Sequence, residues 1–384
     1  MELTRKQEEG LKIAISRYYN HEPYTVIAGF AGTGKTTLVK FIISALNIPP
    51  ELVCYTSYTG KATLVLREHG CLNAITAHKL LYKSYMNKDG TFINIPKPVL
   101  EQRYSIIVVD EISMLPKKMW DLLLNHGIYI LALGDPGQLP PIGEDNHVLD
   151  RPHIFLDEVM RQAKESEIIQ LTMDIRNEKP LKYYMGKEVR IISKSDVCSG
   201  LYKWADQIIA GKNITKNIIN MQMRDILDFK SKDLEDGDKI ICLRNNWDIL
   251  SSCEEPLVNG LIGIAKNPKI KNDFFVGKKI VLDFYPDSFY KNQNELYKDI
   301  AIDEKLLRTG EASINSSNFK KFPKSVSKGI QQFDYAYCIT CHKSQGSQYN
   351  KVLVFEEKLK STEHKKWLYT AATRAKEKLI IVKE

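Results

Sequence analysis

The stretch Gly29-Phe-Ala-Gly-Thr-Gly-Lys-Thr-Thr37 decides how this chain must fold. It fits the phosphate-cradling pattern G-x-x-x-x-G-K-[ST], with Gly29, Gly34, Lys35 and Thr36 at the fixed positions. Before it, Tyr24-Thr-Val-Ile-Ala28 reads as a short buried strand. After it, Leu38, Phe41, Ile42, Ala45 and Leu46 recur at helical spacing. Such a strand–loop–helix unit turns consecutive backbone N–H groups toward an anion and adds the positive end of the helix. Lys35 is then placed to neutralise β- and γ-phosphates and the Thr36 hydroxyl to ligate Mg²⁺. Ala31, Gly32, Thr33, Gly34 and Thr37 complete the cradle. The bland alternative, a glycine-rich turn that binds nothing, does not account for these flanks.

Outward from this site, the 384 residues leave room for two domains of ordinary size plus small insertions. The apolar and charged fractions are those of a soluble globular protein, and no stretch is long and apolar enough to span a membrane. The N-terminal MELTRKQEEGLK lacks the apolar core of a signal peptide, so the cytoplasm is the expected location. A net charge of +8 suits a nucleic-acid partner without requiring one. Seven scattered cysteines suggest reduced thiols; Cys338 and Cys341 have C-x-x-C spacing but no companion ligands, so buried thiols are expected there.

Thr4-Arg-Lys-Gln7 matches a T-x-x-Q capping box at a helix start. Three more strands, Leu52–Thr56, Ser105–Asp110 and Tyr129–Leu133, alternate with helical patterns, which predicts a parallel sheet covered on both faces. Residues 83–100 read as a projecting hairpin around the turn Asn87-Lys-Asp-Gly90. A second strand–helix series follows residue 150: Gln207–Ala210, Lys239–Leu243, Tyr335–Thr340, Lys351–Phe355 and Lys378–Val382. It is interrupted at about 256–330 by a segment with 13 Lys/Arg against 8 Asp/Glu, read as an inserted small β-barrel. The expected division is therefore 1–150, carrying the hairpin, and 151–384, carrying the barrel.

Chemistry collects at the carboxyl ends of strands in such sheets. Ile106-Ile-Val-Val-Asp-Glu111 ends in two carboxylates, of which Asp110 suits Mg²⁺ and Glu111 the activation of a water. In Gly134-Asp-Pro-Gly-Gln-Leu-Pro-Pro141, Gln138 can bond both a γ-phosphate and the attacking water; alone, the stretch could equally be a solvated turn. Arg161 and Arg374 are candidates for charge-stabilising arginines, although lone arginines are usually surface residues.

Together these motifs, in this order, resemble superfamily 1 DNA helicases of the 5′-to-3′ branch that includes RecD, Pif and Dda, over nearly the whole chain. The resemblance implies an α/β fold of two RecA-like parallel-sheet motor domains, with a hairpin insertion in the first and a Src-homology-3-like barrel in the second. It implies ATP and Mg²⁺ as cofactors, Gln7 as adenine reader, Arg161 in EVMRQ as a γ-phosphate contact and Arg374 in YTAATRA as an arginine finger. TSYTGKA resembles the family's DNA-contact motif, pointing to Thr56, Thr59 and Lys61, and TAH points to His78. GKNITKNIIN resembles a segment opening the second motor sheet, and LRNNW, with Asn245, leads into the barrel. ITCHKSQGSQ implies DNA contacts at Thr340, His342 and Lys343 and a nucleotide contact at Gly346. Phe92 on the hairpin is the expected base-stacking residue. Departures are Tyr55-Thr56-Ser57 for Ala-Pro-Thr, Lys216 for arginine and Gln348 for threonine.

The implied partners are single-stranded DNA and single-strand/duplex junctions, then a single-strand-binding protein or replisome components, with the chain acting as a monomer. The compact lysine-rich form suits a phage protein working in host cytoplasm. A protein-stripping translocase, a GTP switch or small-molecule kinase, and a DNA-binding module with a dead ATPase stay as alternatives. The switch lacks N-K-x-D, and the dead ATPase conflicts with filled catalytic positions.

Overall fold

The computed structural model describes residues 3–86, 92–141, 143–160, 165–253, 255–287, 296–315, 322–323, 326, 329–359 and 361–384. It divides into two compact units, one of residues 1–82, 96–211 and 344–384, the other of 83–95 and 212–343.

In the first unit, one sheet has six parallel strands. Their spatial order is Ile75–Thr76, Val53–Ser57, Ile106–Asp110, Tyr129–Gly134, Tyr24–Gly29 and Ile154–Leu156. The continuous apolar runs arise because both faces are covered. Val26, Ile107, Val109 and Ile130 enter a cluster with Trp120 and Leu123, while Ile27, Ile106, Val108 and Leu131 enter another with Leu38 and Ile42. The expected boundary at residue 150 falls before the last strand of this sheet, which runs to Leu156.

A second sheet in the same unit runs Gln207–Ala210, Tyr349–Phe355, Ala375–Lys383 and Val189–Ser193 in parallel, then Tyr184–Met185 antiparallel at the edge. Lys239–Leu243, expected among these strands, belongs elsewhere. Lys239–Cys242 pairs antiparallel with Ile262–Asp273 and with Phe333–Tyr335 in a sheet of the second unit. That sheet continues through Gly277–Pro286, Tyr297–Asp303 and Ile330–Gln331. Over four residues, buried at all but the first, a strand reads alike in a parallel and an antiparallel sheet, so the sequence alone does not reveal that this sheet starts before 256. Tyr335–Thr340 divides into two strands: Tyr335 ends Phe333–Tyr335 of the antiparallel sheet, and Cys338–Thr340 is a further short strand.

Tyr82–Met86 and Phe92–Pro96 form a two-stranded sheet, and the turn expected at 87–90 lies outside the described residues. Among the described residues, no helix is long and apolar enough to cross a membrane. Cys338 and Cys341 are buried, and neither takes part in a disulfide among the described residues.

Candidate active site

The phosphate loop leaves the strand at Gly29 and enters the helix Lys35–Ala45 through Gly34. Gly34 has φ +78°, which an L side chain resists, and a Cβ there would collide with the Gln7 amide and lie 2.8 Å from Met160 Sδ. The loop also closes on itself. Lys35 Nζ donates to the carbonyls of Gly29 at 2.7 Å and Phe30 at 3.1 Å, and the buried Thr33 donates its hydroxyl to Phe30 O. Thr36 and Thr37 follow on the first turn of the helix.

Gln7 serves two purposes. Its side chain completes the capping box with Thr4, whose N–H it accepts at 2.9 Å, and its Nε2 donates to Thr33 O at 3.2 Å. The helix start is thereby pinned to the loop.

Opposite Lys35, Asp110 ends the strand Ile106–Asp110. Burial, with the charge of Glu111 beside it, raises its carboxyl above the usual range, while the Glu111 N–H and Lys35 pull it down. Glu111 itself sits at φ 53°, ψ 48°, in the left-handed region that costs a non-glycine residue on the order of 1–3 kcal/mol. Its N–H donates to Asp110 Oδ1 at 2.9 Å, which helps hold that conformation.

Two residues that the sequence motifs contained, without a role read for them, join this loop to the helix Ser361–Ala372. The Tyr369 hydroxyl accepts the Ala31 N–H at 3.1 Å and donates to Asp135 Oδ2 at 2.7 Å. Asp135 Oδ1 accepts the Gly137 N–H at 2.9 Å, and burial raises its pKa against the pull of Lys35 and Tyr369. Burial and the Asp135 charge raise the Tyr369 phenol as well, so the hydroxyl keeps its proton. The segment beyond is fixed from the same side: Leu139 N–H donates to Thr370 Oγ1 at 3.0 Å, and Gln345 Nε2 to Leu139 O at 3.1 Å. Between these ties, Gln138 holds Oε1 buried with no hydrogen-bond partner among the described residues. An orphaned acceptor of this kind costs on the order of 1–3 kcal/mol and marks a place for a donor such as water.

Arg374 is 3% exposed, and its hydrogen bonds run to Thr370 O, Ser347 O and Thr373 Oγ1, all neutral oxygens. Among the described residues this guanidinium has no carboxylate partner, which suits it to an anion that arrives from outside. Gly346, at φ +71°, packs so closely on the helix Gly60–Glu68 that a Cβ would lie 2.7 Å from Ala62 Cβ. Arg161 lies outside the described residues.

The group fits a nucleotide and a divalent ion: a glycine cradle that side chains would fill, an unpaired buried arginine and an orphaned glutamine oxygen. Among the described residues no cluster of three or more His, Cys, Asp or Glu could hold a metal. An ion here would rest on Thr36, Asp110 and phosphate oxygens, the sparse protein ligation magnesium favours.

The residues expected at DNA are less uniform. Thr56 is fully buried, with Oγ1 unpartnered, and Lys61 is 4% exposed, its Nζ 3.3 Å from Tyr349 OH and over that ring. Thr59 caps the helix Gly60–Glu68 through the Ala62 N–H. His78 stands on the helix Ala77–Leu81 with its ring 5.1 Å from Tyr82, and burial lowers its pKa. Phe92 opens its strand, and its side chain is not among those described.

In the second unit, Asn245 Oδ1 accepts the Asn259 N–H. Thr340 ends the strand Cys338–Thr340, and His342 is exposed. Burial lowers the Lys343 pKa, with Asp334 opposing and Lys216 adding to the shift; Lys216 is itself paired with Asp334. Asn220 clamps this segment. Its amide donates to Tyr335 O and Cys338 O, and its Oδ1 accepts the Cys338 N–H at 2.7 Å.

A family model described as AAA domain matches residues 2–194, and one described as UvrD-like helicase C-terminal domain matches 335–382. The chain is 28% identical to the ATP-dependent DNA helicase dda of Enterobacteria phage T4 over 190 residues, 46% of this chain and 43% of that one. It is 25% identical to the RecBCD enzyme subunit RecD of Buchnera aphidicola over 93% of this chain and 69% of that one. It spans only 36% of the length of an uncharacterized Methanocaldococcus jannaschii protein, matched at 24% identity over 94% of this chain. Among solved structures, a Pif1 helicase from Bacteroides in complex with ADP-AlF3 and ssDNA shares the fold, with a TM-score of 0.56 and 16% identity over 100% of this chain and 92% of that one. With these matches lying on the motifs built above, the chain belongs to the AAA-domain, RecD/Pif family of superfamily 1 helicases, a family of ATP-dependent enzymes.

Proposed function

We propose that the chain is an ATP-dependent DNA helicase that moves 5′ to 3′ on single-stranded DNA and unwinds duplex. The observation that carries the reading is the hydrogen-bonded path from Ala31 through Tyr369 to Asp135, which ties the phosphate loop to the helix leading into Arg374. ATP binding between the two parallel sheets of the first unit would draw on residues from both, so that hydrolysis alters how they are held together.

Lys35 neutralises the β- and γ-phosphates, and Gln7, Ala31, Gly32, Thr33, Gly34, Thr37 and Gly346 surround the nucleotide. Thr36 and Asp110 would hold magnesium, which would supply positive charge to offset that of the phosphates. Glu111 takes a proton from the attacking water, Gln138 orients that water, and the bond from the γ-phosphorus to ADP breaks. Arg374, with Arg161, stabilises the charge that spreads over the transferred group.

The domain division near residue 150, the antiparallel sheet as a Src-homology-3-like barrel and the 83–100 hairpin as a strand-separating wedge belong to the same proposal. So do DNA contacts at Thr56, Thr59, Lys61, His78, Phe92, Asn245, Thr340, His342 and Lys343, with the buried Thr56 and Lys61 acting by shaping the backbone. A monomer working in the cytoplasm beside single-strand-binding or replisome proteins completes it.

Strand displacement on duplexes with a 5′ or a 3′ single-stranded tail tests the polarity. ATP-dependent unwinding of the 5′-tailed substrate alone is expected; unwinding from the 3′ tail would overturn it. Tyr369→Phe is a finer test. Losing a hydrogen bond to a charged carboxylate should lower DNA-stimulated kcat on the order of tenfold, with KM for ATP nearly unchanged. A change in KM alone would assign Tyr369 to nucleotide binding instead.

A further inference from the structure

Far from the nucleotide residues in sequence, the strands Ile262–Asp273 and Gly277–Pro286 form a long hairpin of 12 and 10 residues. Its base is built into the antiparallel sheet, where Ala265, Leu282 and Phe284 are buried. Its far half differs. A bulge between Lys266 and Lys269 shifts the register, and beyond it Lys269, Ile270, Lys271 and Asn272 are all exposed. Phe274 at the tip is 95% exposed, more than any other large apolar side chain described, and Phe275 packs edge-on to it at 5.1 Å.

The tip is held rigidly. Asp273 Oδ1 accepts the N–H groups of Phe275 at 2.9 Å and Val276 at 3.2 Å, and Oδ2 accepts Lys279 Nζ at 2.8 Å. The aromatic ring is therefore presented on a pre-set turn, which lowers the ordering cost of any contact it makes. Around it the charge is one-sided: residues 266–281 hold five lysines against one aspartate. Lys271 and Lys279 stand directly opposite across the strands, a like-charge pair that disfavours the ladder, and among the described residues only Lys279 of the two has an ion-pair partner, Asp273.

Lysines on a strand edge are a common guard against edge-to-edge pairing, and that would explain Lys269 and Lys271. It does not explain Phe274, which restores the stickiness the lysines remove. Basic side chains flanking a projecting aromatic match the stacking platforms of single-strand binders, in which every base offers a π-face and its phosphates need cations.

Resting on the helicase reading, we infer that this hairpin tip is a second contact for single-stranded DNA, with Phe274 stacking on a base and Lys269, Lys271 and Lys278 taking the flanking phosphates. It would engage the strand apart from the grip assigned to Thr340, His342 and Lys343.

The test uses the full chain and oligo-dT. Phe274→Ser should weaken binding roughly fivefold or more, the lower end of what one base–aromatic stack is worth. ATP turnover at saturating oligo-dT should be unchanged. Phe274→Trp should add fluorescence that oligo-dT quenches beyond any change in the parent protein. Unweakened binding together with unquenched emission would overturn the inference while leaving the helicase reading intact. Loss of affinity for duplex alone would also overturn it, in favour of a duplex contact. Failure of the parent protein to bind oligo-dT would sink both readings at once.

Discussion

Replacing Lys35 with alanine is expected to abolish ATP hydrolysis, by about a thousandfold or more, while single-stranded DNA affinity stays within about twofold. One charge about 4 Å from a phosphate is worth roughly 4 kcal/mol at the effective dielectric of a partly exposed site, which is about three decades in rate. The loop itself should survive the change, because its shape rests on Gly34 in the left-handed region and on Thr33 bonding Phe30 O. The Lys35 bonds to the buried Gly29 O and to Phe30 O are lost, so a melting curve should accompany the assay. A steady-state ATPase assay with and without oligo-dT, beside an anisotropy titration, reads both quantities. Hydrolysis above about a hundredth of the parent rate would remove Lys35 from the phosphate site.

Arg374→Ala is the second large effect. Arginines that stabilise the spread charge of phosphoryl transfer contribute roughly 10³–10⁵ in rate, so turnover should fall into that range with ATP affinity changed only a few-fold. Arg374→Lys should not recover it, because an ammonium cannot reproduce the planar fork that now spans Thr370 O and Ser347 O. A binding measurement with a fluorescent ATP analogue separates the two quantities. A melting curve guards against misreading, since those carbonyls lose a buried donor. Equal losses in affinity and turnover at an unchanged Tm would make Arg374 a ground-state binder and not a transition-state one.

What could be read before the structure was whatever chemistry confines to neighbouring residues. A phosphate cradle needs its glycines and lysine within nine positions, and a metal carboxylate needs a strand to carry it; Gly29–Thr37 and Ile106–Glu111 declare both. The capping box at Thr4 and Gln7 was legible for the same reason. Lys239–Cys242 was not, because three apolar residues behind a lysine do not reveal whether their neighbours will run parallel or antiparallel. The burial of Thr56 and Lys61 depends on packing that no local pattern records. The left-handed backbone at Glu111 has no signature at all in a residue type that rarely adopts it. Asp135 and Tyr369 stood inside stretches already marked as motifs, yet their partnership is a contact across most of the chain, and only folding brings it together.

That contact has a consequence for how the protein is made. Ala31 and Tyr369 are 338 positions apart, and at roughly 5–20 residues per second a ribosome completes them on the order of twenty to seventy seconds apart. The strand–loop–helix around Lys35 can form early, since its sheet is closed by residue 156. The emerging chain could therefore hold a nucleotide well before it could spend one. Turnover would wait for Tyr369 and Arg374 to leave the ribosome, so a copy unfinished at that point would sit on ATP without consuming it.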